Sequence, residues 1–185
     1  MMRTYSFITE FKGNIYLSCY QSCCSSDAFR NWLDGFISQS YVSKMQQKQI
    51  MKDALNKDLA PVPLKNLEGI WCWWINPWGK SLLLNFMETL EWEENSVHTY
   101  TFIALYDGGT YISQHKGIDL DDSVKLWLYD FIRTPYLKDS QKEILLSCFV
   151  ISTPSFIKES CNFRVLHLPL CDKQLDLYIA KTRTD

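Results

Sequence analysis

Thr4-Tyr5-Ser6-Phe7-Ile8 returns, with Ser6 changed to Thr101, as Thr99-Tyr100-Thr101-Phe102-Ile103 95 positions later. The same offset carries Gly13 onto Gly108, Tyr16 onto Tyr111, Ser18 onto Ser113 and Asp27 onto Asp122. It then carries Trp32-Leu33 onto Trp127-Leu128 and Phe36-Ile37 onto Phe131-Ile132. Twelve identities over residues 4–37 without a gap compare with about two for random pairing. After a short indel the offset becomes 93, and Pro61, Lys65, Lys80, Leu82, Leu84 and Thr89 meet Pro154, Lys158, Lys173, Leu175, Leu177 and Thr182. The chain reads as a tandem duplication, with a first repeat over 1–95 and a second over 96–185.

Each copy sharpens the reading of the other. Residues 4–11 and 15–20 are rich in strand formers and flank Gly13-Asn14, a hairpin turn; Gly108-Gly109 takes that place in the second copy. A helix follows, capped by Ser26 or Asp121. Its apolar stripe is Phe29, Trp32, Leu33 and Phe36, repeated by Val124, Trp127, Leu128 and Phe131. A second helix is expected over 42–56 and 138–148, polar in the first copy and more apolar in the second, and ended by Pro61 and Pro154. Two strands close each copy, over 67–76 with 80–90 and over 162–169 with 173–181. Their turns are Pro77-Trp78-Gly79 and Cys171-Asp172. The expected fold is α+β: a duplicated ββααββ unit with antiparallel sheets and helices on one face, related by a pseudo-twofold. The join over 91–97 is short and lacks Gly and Pro, which favours two copies packed as one globular unit.

Composition narrows the function. Apolar residues make up 46% and charged residues 22% of the 185, as in an ordinary globular protein, and a 15% aromatic share supports a compact core. A net charge of -2 without any Lys/Arg run gives no footprint for nucleic acid. No apolar run approaches the roughly 20 residues of a membrane span, and residues 1–7 lack the apolar core of a signal peptide. Seven Cys, odd in number and without framework spacing, read as reduced thiols of a cytoplasmic protein.

The most unusual stretch is Trp71-Cys72-Trp73-Trp74-Ile75-Asn76-Pro77-Trp78, with four Trp in eight residues. Alternation places the rings on both sides of a strand. The second copy has Arg164, Leu166, His167 and Cys171 at the matching positions, so the shared fold does not require the cluster. Trp71, Trp73, Trp74 and Trp78 are the candidate partner-binding residues, because exposed Trp anchor interfaces; core packing is the competing account. The aromatic face of the first hairpin (Tyr5, Phe7, Phe11, Tyr16) recurs as Tyr100, Phe102, Tyr106 and Tyr111 and reads as a fold requirement.

Other clusters carry less. Cys148, Cys161, His167 and Cys171 lack the tight spacing of a zinc knuckle, so no metal is assigned. Cys23-Cys24 precedes a helix N-terminus, where a thiolate is favoured, but no base lies near it in sequence. Asp119-Leu120-Asp121-Asp122 suits helix capping. The chain has no nucleophile elbow, phosphate loop, zinc-protease helix or dinucleotide fingerprint, and neither His98 nor His115 has a sequence neighbour that makes it an acid or base. No catalytic residue and no cofactor are assigned.

The segment from Phe102 through Gly108-Gly109-Thr110-Tyr111-Ile112-Ser113, followed by Asp121-Asp122-Ser123-Val124-Lys125-Leu126-Trp127, resembles the ββα unit of HicB-type antitoxins. It also resembles bacterial proteins carrying the same Gly-Gly hairpin. The antitoxin likeness spans about 30 residues per copy and lacks a C-terminal DNA-binding element. It implies a bacterial protein of antitoxin- or immunity-like type. The leading expectation is thus a non-enzymatic cytoplasmic protein that acts by binding another protein. The alternatives are a small-molecule-binding protein or enzyme with its site in the groove between the repeats, and a homodimer joined through edge strands.

Overall fold

In the computed structural model, which describes residues 1–90, 97–151, 155–156 and 162–183, the leading alternation becomes a hairpin of β1 (Arg3–Phe11) and β2 (Asn14–Ser22). The turn is Lys12-Gly13, one residue earlier than Gly13-Asn14, because Phe11 pairs with Asn14. A two-residue hairpin turn of type I′ needs positive φ at both central positions. Lys12 and Gly13 supply it at 54° and 75°. The second unit corrects the same way: Asp107-Gly108, at 52° and 75°, forms the turn and Gly109 already belongs to the strand.

Helix α1 (Ser25–Ile37) starts one residue before the expected cap, with Cys24 at the N-cap and no side chain closing it. Helix α2 (Lys44–Leu55) has a full capping box: Ser43 Oγ accepts from the Gln46 amide, and Gln46 Oε1 accepts from the Ser43 amide at 3.1 Å. It stops at Asn56, whose backbone is extended, and a 3₁₀ turn over Lys57–Leu59 follows; Pro61 therefore does not end it. Strands β3 (Val62–Pro63), β4 (Ile70–Ile75) and β5 (Leu82–Thr89) complete the unit, with Pro77–Gly79 as a 3₁₀ turn between the last two. Strand β5 pairs with β1, giving the antiparallel order β2-β1-β5-β4-β3.

The next segment repeats that order of elements. Strands β6 (His98–Tyr106) and β7 (Gly109–Gly117) precede helices α3 (Leu120–Phe131) and α4 (Asp139–Ile151). Strands β8 (Ser155–Phe156), β9 (Phe163–Leu170) and β10 (Lys173–Thr182) follow, in the antiparallel order β7-β6-β10-β9-β8. The cap of α3 is Asp119 rather than Asp121. Its extended backbone lets Oδ1 accept from the Asp122 amide at 2.8 Å, whereas Asp121 is already helical. Pro154 lies outside the described residues. The chain is α+β, with a mostly antiparallel sheet and four helices among the described residues. None of those helices is long and apolar enough to cross a membrane.

The chain divides into two compact units, one built on Met1–Thr89 and the other on Leu90–Lys158 with Asn162–Thr184. In the first, α1 and α2 bury their apolar stripes on the sheet face that carries Phe7, Trp73, Leu84 and Phe86. The rings of Phe7 and Trp32 stack at 6.1 Å and those of Phe7 and Phe86 at 5.0 Å. In the second, Phe102 stacks on Trp127 at 5.7 Å over a core that includes Phe131, Leu168 and Leu177. Each such ring removes about 150–250 Å² from water, so a unit of this size can hold a defined core. The opposite faces contain satisfied polar pairs: Ser6 with Thr89 at 2.8 Å, and Thr101 with Thr182 at 3.0 Å.

Candidate functional site

Strand β2 pairs only with β1 among the described residues, and alternation turns Tyr16, Ser18 and Tyr20 toward the helices. Helix α1 approaches from below with Trp32, Gly35 and Phe36 at i, i+3, i+4 spacing. Between them lies an open groove of about 420 Å³. Tyr41, from the connection between α1 and α2, closes one end by stacking on Tyr16 with centroids 4.4 Å apart. Lys12 Nζ donates to the Tyr41 carbonyl at 2.8 Å and ties that connection to the hairpin turn.

The second unit has the same groove, about 390 Å³, between β7 and α3. Tyr111, Ser113, Trp127, Phe131 and Tyr136 line it at the positions of Tyr16, Ser18, Trp32, Phe36 and Tyr41, all offset by 95. Tyr111 and Tyr136 repeat the ring contact at 4.4 Å. Five identical side chains thus wall both grooves.

One pair of seats changes its chemistry between the grooves. In the first unit the Tyr20 ring meets Phe7 edge-on at 5.6 Å and sits directly over Gly35. A Cβ at Gly35 would lie 2.3 Å from the Tyr20 hydroxyl, so the seat needs glycine. In the second unit His115 meets Phe102 edge-on at 5.5 Å, and Asp130 stands where Gly35 does. His115 Nδ1 lies 3.8 Å from Asp130 Oδ2, and its Nε2 lies 3.2 Å from Ser113 Oγ. Burial pulls the imidazole pKa below 6.5, with Asp130 opposing.

The Trp-rich stretch separates by strand face. Trp73 is buried, donates through Nε1 to the Leu59 carbonyl, and meets Phe29 edge-on at 5.1 Å. Trp71 is half-buried and stacks on Phe86 at 5.3 Å. Trp74 and Trp78 are 62% and 60% exposed, so two of the four rings are available to a partner. Even these are held: Trp74 Nε1 donates to Ser81 Oγ and Trp78 Nε1 to the Met45 carbonyl, at 3.0 and 3.1 Å. Trp78 also adopts a φ of 57°. Trp71 borders a separate apolar hollow of about 440 Å³ between α1, α2 and β4.

The cysteines read differently in three dimensions. Cys23, Cys24 and Asp27 converge, with Cys23 Sγ donating to Asp27 Oδ2 at 3.0 Å. That hydrogen bond pushes the Cys23 thiol up and holds the Asp27 carboxyl down, the reverse of a stabilised thiolate. Cys148 is half-buried in α4, Cys171 is exposed in a turn, and Cys161 lies outside the described residues. His167 Nδ1 faces Asp176 Oδ1 at 2.7 Å on the strand surface.

Sequence reading missed the grooves because Tyr41 and Tyr136 lie in connections rather than in a periodic element. The signal was available in the shared offset of those two tyrosines, and in the paired change of Tyr20 and Gly35 to His115 and Asp130. The chain matches no protein-family profile, and no curated protein or solved structure matches it.

Proposed function

We propose that this is a peptide-binding protein. The two units descend from a tandem duplication, and each takes an extended segment of another protein along its outer strand, β2 or β7. The observation that carries this reading is the groove repeated at the same offset with the same five wall residues. An added strand would hydrogen-bond to the outward N–H and C=O groups of β2 or β7, while every second side chain entered the groove. The aromatic walls suit aromatic or large apolar side chains, and volumes near 400 Å³ admit one or two of them. Such binding fits an antitoxin- or immunity-like role, in which the segment belongs to a protein that is restrained. Exposed Trp74 and Trp78 add aromatic surface in the first unit.

A random dodecapeptide library panned against the whole chain, followed by calorimetry with the best peptide, tests this. Wild type should bind two peptides and each of Tyr41→Ala and Tyr136→Ala one, and N-methylation of alternate peptide amides should abolish binding. Failure to enrich any peptide, or binding unaffected in the double variant, refutes the proposal.

A further inference from the structure

The geometry points to a nucleophilic serine in the second unit's groove: the Ser113 hydroxyl is hydrogen-bonded to the His115 imidazole, whose other nitrogen faces the Asp130 carboxylate, and the three hydrolyse small carboxylic esters carrying an apolar or aromatic group. This inference goes beyond peptide binding and does not depend on it, since the first unit has the groove without the imidazole and the carboxylate.

Three placements support it. Ser113 and His115 are i, i+2 on β7, so both side chains turn to the helix face. Asp130 reaches the ring from α3, leaving Nδ1 toward the carboxylate at 3.8 Å and Nε2 toward the Ser113 hydroxyl at 3.2 Å. The order hydroxyl, imidazole, carboxylate is that of an activated serine, and such contacts are looser before substrate binds. The carboxylate orients the ring and favours the proton on Nδ1, which leaves Nε2 as the acceptor.

The surroundings suit an acyl substrate. Ser113 lines a groove walled by Tyr111, Trp127, Phe131 and Tyr136, of about 390 Å³. Hydrogen-bonded pairing of Tyr106 with Gly109 beside the two-residue turn makes Ser113 an inward-bonded residue of β7, through the alternation of antiparallel pairs. The amide of Ile112, on one side of it, therefore points away from β6, toward the side from which a substrate carbonyl oxygen would approach. The first unit supplies an internal comparison. Ser18 is retained, but Tyr20 and Gly35 replace the base and its orienting carboxylate.

The reaction balances without a further reagent. Ser113 Oγ bonds to the acyl carbon as its proton passes to His115 Nε2. The bond from carbon to the leaving oxygen breaks, and that oxygen takes the proton from Nε2. Water then attacks the acyl-serine, giving its proton to Nε2, and Oγ leaves and recovers it. The net change is ester plus water to acid plus alcohol.

The test combines p-nitrophenyl butyrate hydrolysis with labelling by a fluorophosphonate probe, mapped by mass spectrometry on the intact chain. A single adduct at Ser113 is expected. Hydrolysis should fall at least about 100-fold in Ser113→Ala and in His115→Tyr/Asp130→Gly, which rebuilds the first unit's seat and so preserves packing. The rate should rise with pH through the His115 transition and then level off. Asp130 from α3 and Tyr100 from β6 are the titratable groups facing that ring among the described residues. No adduct at Ser113, equal labelling of Ser18, or hydrolysis unchanged in Ser113→Ala overturns the inference.

Discussion

Gly35→Ala should change the sign of its effect according to the residue at position 20. An added Cβ at Gly35 falls 2.3 Å from the Tyr20 hydroxyl and 3.4 Å from the ring carbon that bears it. Tyr20 is rigid beyond χ2 and rests edge-on against buried Phe7, so relief requires the whole ring to move. Overpacking of this kind costs about 1–3 kcal/mol. Against it stands the intrinsic gain of alanine over glycine within a helix, about 1 kcal/mol. In wild type the net effect should be a loss of up to about 2 kcal/mol. In a Tyr20→Ala background the obstruction is gone and Gly35→Ala should stabilise by about 1 kcal/mol. The coupling between the two positions is therefore about 1–3 kcal/mol, well outside the scatter of additive pairs. Urea denaturation of wild type, both single variants and the double variant, followed by Trp fluorescence, measures it. Additivity within about 0.5 kcal/mol would refute the claim that Tyr20 occupies the space glycine leaves.

Trp32→Phe removes the 3.1 Å hydrogen bond from Nε1 to buried Thr9 and should cost about 1–3 kcal/mol beyond lost contact. Trp127→Phe, opposite Ala104, should lack that increment in the same denaturation assay. Gly13→Ala meets nothing within 4 Å but holds a φ of 75°, so chemical denaturation should show a loss of about 1–2 kcal/mol from backbone strain alone. His115 should titrate below 6.5 by NMR, and lower still in Asp130→Asn, which removes the charge that opposes burial. Because the folded pKa is depressed, the unfolded chain binds the extra proton first, and stability should fall as pH drops below 6.5 toward the native value. A native pKa above 6.5 would contradict this. Acrylamide should quench fluorescence from Trp74 and Trp78 strongly and spare Trp73, as Trp74→Phe and Trp78→Phe variants would show.

Period-2 and period-3.6 patterns made the leading hairpins and helices α1 and α3 legible, because each apolar stripe faces a core that burial rewards, whereas α2 and α4 were expected without a stripe of their own. What escaped was short or conformational. Strands β3 and β8 are two residues long, too short for any pattern. Both turns slipped by one residue because Gly13-Asn14 and Gly108-Gly109 look like better turn pairs, while the register places positive φ on Lys12 and Asp107 instead. Asp119, not Asp121, caps α3 for a similar reason: several carboxylates could serve, and backbone geometry selects one. The Trp stretch was visible as composition, yet its division into buried and exposed rings depends on which strand face each residue takes against β5.

The shared groove walls can be tested against packing alone, because packing and recognition make different demands on Tyr136. Trp32 and Trp127 are 1% and 2% exposed, and their identity needs no explanation beyond the core. Tyr136 is 51% exposed, and a tyrosine half in water is readily replaced if its only task is cohesion. It nevertheless matches Tyr41 and makes the same ring contact, at 4.4 Å in both units. Tyr136→Ala should therefore cost no more than the worth of one exposed aromatic pair, about 0.5–1.5 kcal/mol. It should at the same time remove one of the two peptide sites. A stability loss of about 3 kcal/mol or more would place Tyr136 with the core aromatics and leave its identity to packing. A small loss with peptide binding intact at both sites would show that the tyrosine pair is not what the groove uses.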